Sequence, residues 1–269
     1  MGKLIGTSPK PMRYSLPLAP LVCGLLAGFT VLPAMAATVV GPYFQDFEGY
    51  ATGVTTTDFT ENNDAGYVIA TDGGDQVLRG RVASASYIAA GVNVTGSAGR
   101  DFSVTTQAKL FELNTGTGST NLNLSLAAAG TTSNFNGSEY RFTFDFLDGD
   151  IDVSRNGVTQ TFTTTGGSTG LLRTVGTSYT MSLSGVYSSP TSVLLTMSIS
   201  DGTTTFTGTF QDNAALSGEH FGYRIGRNGT SATIGTYLDD FDLNVIPEPS
   251  AVALLAGGMG LLAMRRSRR

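Results

Sequence analysis

The sequence is poor in the residue types that most often carry chemistry in small proteins. Its 269 residues include no tryptophan, one cysteine (Cys23) and one histidine (His220). A single cysteine excludes an internal disulfide and a cysteine-based metal site, and a single histidine excludes a multi-histidine metal centre. The absence of tryptophan removes a strong stacking platform for sugar rings. Stability must therefore come from packing, with a bound ion as the remaining aid.

Charge is also scarce, and it is unevenly distributed. Charged residues make up 14% of the chain, and residues 37–246 hold nine Lys and Arg against twenty Asp and Glu, a net charge of −11. Nucleic-acid binding needs Lys and Arg to face the phosphates. We therefore expect no nucleic-acid partner. The 35 glycines, set among runs of Thr and Ser, favour an all-β extracellular protein.

Residues 1–36 have the layout of a secretory signal peptide. Three basic residues lie within the first thirteen positions, an apolar stretch broken by prolines covers 16–32, and Ala34-Met35-Ala36 provides an A-x-A cleavage site. We expect signal peptidase to cut between Ala36 and Ala37. The alternative is a retained membrane anchor, which the short and proline-interrupted apolar run disfavours.

The C-terminal residues form an ordered set of three features. Pro247-Glu248-Pro249 precedes an apolar run over 251–264, and four arginines follow within the last five residues. As a helix, these fourteen residues would span roughly 21 Å, which is shorter than the roughly 30 Å hydrocarbon core of a bilayer. The sequence predicts a short hydrophobic helix suited to transient anchoring. The arginines would stay in the cytoplasm, so that 37–246 is exported.

Residues 247–269 closely resemble the PEP-CTERM sorting signal, with its Pro-Glu-Pro triplet, short apolar helix and basic tail. The resemblance implies recognition by an exosortase, a membrane peptidase, with cleavage near Pro247, Glu248 and Pro249. It also implies a Gram-negative-type host that makes exopolysaccharide. The expected location is the periplasm, outer surface or extracellular matrix, after transient anchoring in the inner membrane. An ordinary tail anchor is the alternative, but it does not explain two prolines flanking one glutamate.

Residues 37–246 show the two-residue alternation of β-strands. Residues 140–146 alternate aromatic and polar side chains, as a half-buried strand does. Asp148-Gly149, Asn156-Gly157 and Asp201-Gly202 are tight-turn signals. No helical period of useful length occurs. We predict an all-β domain, an antiparallel two-sheet sandwich of the jelly-roll type, closed where the first and last strands pair.

The strand pattern resembles the concanavalin A-like jelly roll of laminin-G and lectin/glucanase domains. The matching segments are 44–50, the hairpins over 140–162 and 179–210, and 237–241. The resemblance implies a carbohydrate-related role. A β-sandwich of another topology is the alternative.

Two groups of acidic residues are candidate calcium ligands. If the first and last strands are neighbours, Glu48, the carbonyl of Gly49 and Asp240 could form a structural Ca²⁺ site, which some lectin/glucanase-like proteins have there. Asp148, Asp150 and Asp152 would share one strand face, but Val153 stands where a calcium loop needs glycine. For both groups the alternative is a solvated surface.

Catalytic motifs are missing from the sequence. It contains no G-x-S-x-G nucleophile motif and no E-x-D-x-x-E string of the kind expected of glucanases on this fold. We expect His220, the one candidate base, to be a loop or hydrogen-bonding residue, and we predict that the protein is not an enzyme.

Three functions follow from these features. The first is an exosortase-sorted surface or matrix protein associated with exopolysaccharide or biofilm. The alternatives are a lectin-like carbohydrate-binding module and a divergent glycan-active hydrolase. Without tryptophan, tyrosines would have to stack on sugar; the candidates are Tyr67, Tyr87, Tyr140, Tyr187 and Tyr223.

Overall fold

A computed structural model of the protein describes residues 42–56, 59–61, 66–83, 87–165 and 170–246. The signal-peptide cleavage site at Ala36 and Ala37 and the sorting signal at Pro247, Glu248 and Pro249 lie outside the described residues. The predictions made for them stay predictions. Within the described ranges, no helix is long and apolar enough to cross a membrane.

The regular structure of the described residues is sixteen β-strands without an α-helix. The first eight are β1 (Tyr43–Gln45), β2 (Thr60–Glu61), β3 (Tyr67–Asp72), β4 (Asp75–Val82), β5 (Tyr87–Asn93), β6 (Phe102–Asn114), β7 (Thr117–Gly130) and β8 (Tyr140–Asp145). The remaining eight are β9 (Ile151–Arg155), β10 (Val158–Thr159), β11 (Thr163–Thr165), β12 (Ser178–Ser189), β13 (Ser192–Ser200), β14 (Thr205–Asp212), β15 (His220–Thr230) and β16 (Thr233–Val245).

The strands form two antiparallel sheets. The first sheet has nine strands in the order β11-β14-β13-β12-β6-β16-β4-β3, with β1 added against β16. The second has seven strands in the order β10-β9-β8-β7-β15-β5-β2. The prediction of an all-β chain with two antiparallel sheets is confirmed.

The first and last strands pair, as the sequence predicted. Tyr43 of β1 lies opposite Leu243 of β16, and Gln45 lies opposite Phe241. β16 itself is a central strand, bonded to β4 on one side and to β6 on the other. This pairing brings residues at the start of the domain next to the acidic segment of β16.

A core of alternating side chains lies between the sheets. On β8, Tyr140, Phe142 and Phe144 are fully buried, while the intervening Arg141 and Thr143 point to the opposite face. Burying an aromatic ring of this kind contributes roughly 2–3 kcal/mol. The same alternation on β16 buries Leu238 and leaves its neighbours on the outer face of the first sheet.

Candidate functional site

A pocket of about 260 Å³ opens on the outer face of the first sheet. We call it the acidic pocket, because four carboxylates line it. Its lining residues come from β3, β4, β6, β12 and β16: Asp72, Asp75, Val77, Gln107, Ala108, Lys109, Ser178, Tyr237, Asp239 and Asp240.

A bulge in β16 places two adjacent aspartates in this pocket. Asp239 lies opposite Gln107 of β6 and Asp242 lies opposite Thr105, so β16 has one residue more than β6 between these pairs. Asp240, the extra residue, has a φ of 48°, in the left-handed region that aspartate tolerates better than most residues. Because of the bulge, both Asp239 and Asp240 line the pocket.

Asp239 is the most perturbed carboxyl of the pocket. Burial, together with the negative charges of Asp240, Glu48 and Asp75, raises its pKa to about 6. One opposing effect is the backbone N–H of Asp240, which donates to Asp239 Oδ1 at 2.8 Å. A carboxyl of this kind exchanges its proton near neutral pH.

Hydrogen-bond donors stand among the carboxylates. Lys109 Nζ lies 2.8 Å and 2.6 Å from the two carboxylate oxygens of Asp72, which makes a bidentate ion pair across β6 and β3. Gln107 Nε2 donates to Asp240 Oδ2 at 3.2 Å. The pocket therefore offers ammonium, amide and carboxylate groups side by side, the mixture that vicinal hydroxyl groups can bind.

Two aromatic rings adjoin the pocket on the same face, and we call them the aromatic shelf. The rings of Tyr237 and Phe111 stack with centroids 4.5 Å apart at 25°, and Arg79 lies 5.2 Å over Phe111. Phe111 covers Gly235, where a Cβ atom would come within 2.4 Å of the ring. Glycine at position 235 therefore leaves the space that the Phe111 ring occupies.

The predicted calcium ligands Glu48 and Asp240 lie near this pocket. Glu48 Oε1 accepts a hydrogen bond from the Gln76 N–H at 2.8 Å, and its charge acts on Asp239. Within the described ranges, no group of three or more His, Cys, Asp or Glu side chains is arranged to hold a metal ion. The structure thus offers no ready ligand set of acids around Glu48, Gly49 and Asp240, and the calcium site stays a prediction.

The second acidic group forms a turn. The backbone N–H of Asp150 donates to Asp148 Oδ1 at 2.9 Å, and Asp152 follows, exposed, on β9. Burial raises the pKa of Asp152, and the charges of Asp150 and Asp148 raise it further. This arrangement matches the solvated turn that we gave as the alternative.

The prediction of a sugar-stacking tyrosine is wrong for three of the five candidates. Tyr67, Tyr140 and Tyr223 have no exposed surface and belong to the core, because their side chains point inward from their strands. Tyr87 and Tyr187 are partly buried. Tyr187 lines a second pocket, of about 590 Å³, beside Asp101 and Arg100. Tyr237, which the alternation of β16 could have identified, lines the acidic pocket. His220 opens β15 instead of lying in a loop.

Comparisons with known proteins add a likeness of fold. No family model matches the chain, and no curated protein matches it. Among solved structures, the marine PL-14 alginate lyase from Aplysia kurodai is similar with a TM-score of 0.50 and 11% identity, over 71% of this chain and 91% of that one.

Two further solved structures are less similar. Peanut lectin has a TM-score of 0.47 and 10% identity, over 77% of this chain and 99% of the lectin. The carbohydrate-binding module CBM66 from Bacillus subtilis has a TM-score of 0.43 and 13% identity, over 72% and 99%.

Proposed function

We propose that this protein is an exported surface or matrix protein whose β-domain binds polysaccharide at the acidic pocket. The observation that carries the proposal is the aromatic shelf beside the polar groups of the pocket. Tyr237 offers a flat apolar face, and Asp72, Lys109 and Gln107 offer hydrogen-bond partners next to it. Sugars present the same two surfaces, an apolar ring face and a rim of hydroxyl groups.

The export part of the proposal comes from the two ends of the chain. Signal peptidase would release the N-terminus at Ala37, and an exosortase would recognise Pro247, Glu248 and Pro249. The protein would then be held transiently at the inner membrane before it reaches the surface or an exopolysaccharide matrix.

The fold supports polysaccharide as the first ligand class to test. We infer a jelly roll of the concanavalin A-like type for the two-sheet sandwich. The similar protein from Aplysia kurodai is by its name an alginate lyase. The test panel therefore includes alginate beside neutral polysaccharides, and the acidic pocket should favour the neutral ones, because its carboxylates repel a polyanion.

Binding of the full chain to a polysaccharide panel tests the proposal. Tyr237→Ala should abolish or strongly weaken retardation in affinity electrophoresis, because it removes the stacking surface. Phe44→Ala is the matched control, since Phe44 is an aromatic residue of the same sheet that is 57% exposed and lies outside the pocket lining. Equal binding by the two variants would contradict the assignment to this pocket.

A glycan-active hydrolase is the second candidate, and one observation favours it. Asp239 has a pKa raised to about 6 and lies beside a second carboxyl group, that of Asp240, a pairing that acid–base catalysis can use. Release of reducing ends by the wild type and its loss in Asp239→Asn would establish hydrolysis. Binding without release of reducing ends would leave the binding function.

A further inference from the structure

Two arginines lie close to each other on the outer face of the second sheet. Arg141 alternates with buried Phe142 on β8, and Arg224 alternates with buried Tyr223 and Ile225 on β15, so both point away from the core. Strand β7 runs between them. Its Ala127 lies opposite Arg141, and its Ser125 lies opposite Arg224.

This register fixes the spacing of the two side chains. Two strand intervals and an offset of two residues along β7 separate their backbones by roughly 12 Å. Arginine side chains are long enough to approach each other across that distance. The positive charge of Arg141 acts on Arg224 and lowers its pKa. We call Arg141 and Arg224 the arginine pair.

The arginine pair has more hydrogen-bond donors than the protein satisfies. A guanidinium carries five N–H donors. Arg224 Nε is buried and has no hydrogen-bond partner among the described residues, and the group lies 4.3 Å from the centre of the Tyr87 ring. Arg141 contacts Glu139 Oε1 at 3.5 Å, an ion pair that is long for a hydrogen bond.

The charge of Glu139 acts on both arginines, but its carboxylate satisfies few of their hydrogen-bond donors. Its side chain is fully buried, and its Oε2 atom already accepts hydrogen bonds from the N–H groups of Gly137 at 2.9 Å and Ser138 at 2.7 Å. Its Oε1 atom has no hydrogen-bond partner among the described residues. Asp152, which also acts on Arg141, is exposed to solvent.

The apolar surroundings of the arginine pair make the lack of hydrogen-bond acceptors unfavourable. Phe135 packs over Ala89 and Ala127, the ladder neighbours of Arg224 and Arg141, and these three residues are fully buried. Burial lowers the pKa of both arginines, that of Arg224 to about 10. A desolvated guanidinium donor without an acceptor is unfavourable, and Arg224 Nε has none among the described residues although Glu139 lies nearby.

We propose that the arginine pair binds a carboxylate of an acidic saccharide. A guanidinium binds a carboxylate through two parallel hydrogen bonds, which a neutral sugar cannot supply. Thr143, which shares a 2.8 Å hydrogen bond with buried Ser125 beside the pair, offers a hydroxyl group for the sugar itself.

This site is independent of the acidic pocket. The arginine pair belongs to the second sheet and attracts anions, whereas the carboxylates of the pocket on the first sheet repel them. The proposal therefore goes beyond the proposed function and holds even if the acidic pocket binds no sugar.

Calorimetric titration of the full chain with trigalacturonate tests the proposal, with its methyl ester and inorganic phosphate as parallel probes. The wild type should bind trigalacturonate. It should bind the methyl ester and inorganic phosphate much more weakly or not at all. Arg224→Met and Arg141→Met should each weaken binding at least tenfold, on the order expected for a charged hydrogen-bonded pair. Arg100→Met removes the same charge outside the arginine pair and should leave binding unchanged.

Melting without ligand separates a ligand site from a structural one. Arg224→Met should melt no lower than the wild type, because it relieves repulsion between like charges. Arg224→Lys keeps the charge but loses the planar fork, so it should fold like the wild type and still bind more weakly.

Three results would overturn the proposal. They are no binding of trigalacturonate by the wild type, equally tight binding of the methyl ester or phosphate, and unchanged affinity in well-folded Arg224→Met and Arg224→Lys.

Discussion

Replacing Asp239 with asparagine should stabilise the protein at neutral pH. The substitution keeps the shape of the side chain and an Oδ1 atom that can accept the hydrogen bond from the Asp240 N–H. It removes a charge that burial and three neighbouring carboxylates disfavour. The acidic pocket would then hold one negative charge fewer among its remaining carboxylates.

The size of the effect follows from the pKa of Asp239. A pKa of about 6 in the folded protein, against an ordinary value of 3.8, corresponds to about 3 kcal/mol at about 1.4 kcal/mol per pKa unit. Asp239 is only partly buried, and screening by solvent reduces the figure to about 1 kcal/mol.

The effect must also depend on pH in one direction. A carboxyl with a higher pKa in the folded state binds its proton more tightly there. The contribution of Asp239 to stability is therefore fully present below about pH 4 and is lost as the pH rises from 4 to 6. The advantage of Asp239→Asn over the wild type should be near zero at pH 4 and reach its full value by pH 7.

Urea denaturation of both proteins at pH 4 and pH 7 measures this difference. Asp242→Asn is the matched control, because Asp242 lies on the same strand with an exposed side chain. A variant that is no more stable than the wild type at pH 7, or that differs from it equally at both pH values, would refute the reasoning.

Four further predictions concern the rest of the molecule. Calcium should raise the melting temperature relative to a chelator and lose that effect in Asp240→Asn; an unchanged midpoint would remove the calcium site. Tyr140→Phe should cost about 1–3 kcal/mol in urea denaturation, because the Tyr140 hydroxyl donates to buried Asp212 at 2.5 Å; a cost near zero would contradict this. N-terminal sequencing of exported protein should start at Ala37 and not at the initiator methionine. Mass spectrometry of the surface form should lack most of 247–269, and an intact C-terminus would rule out cleavage.

Strands with strict alternation could be predicted from the sequence, and the glycine- and alanine-rich ones could not. The alternation of aromatic residues over 140–146 predicts β8, and the pattern over 237–241 predicts β16. No strand was predicted over 60–93 or 220–230. There Ala89, Ala90 and Gly91 carry little β-preference of their own, and they lie in β5 because neighbouring strands bury them.

The candidate site was predicted in part for a similar reason. Asp240 was placed on the correct strand, but the bulge that sets it beside Asp239 depends on the register with β6. A shift of one residue exchanges the two faces of a strand. That is why buried Tyr223 could be mistaken for a surface platform while Tyr237 was overlooked.

Contacts between residues far apart in the chain could not be predicted from the sequence. Lys109 meets Asp72 across 37 positions, and Arg141 meets Arg224 only because β7 holds their strands in register. Local patterns carry no information about such pairs, since chain topology alone brings the strands together.

The pairing of Tyr43 with Leu243 decides how mechanical load reaches the domain. The strands are antiparallel, so the chain enters and leaves the nine-stranded sheet at one point. A pull between the two ends would open β1 from β16 one hydrogen bond after another and would not shear the stacked sheets. Whichever end of the chain carries a load, the hydrogen bonds between β1 and β16 are therefore the first to bear it.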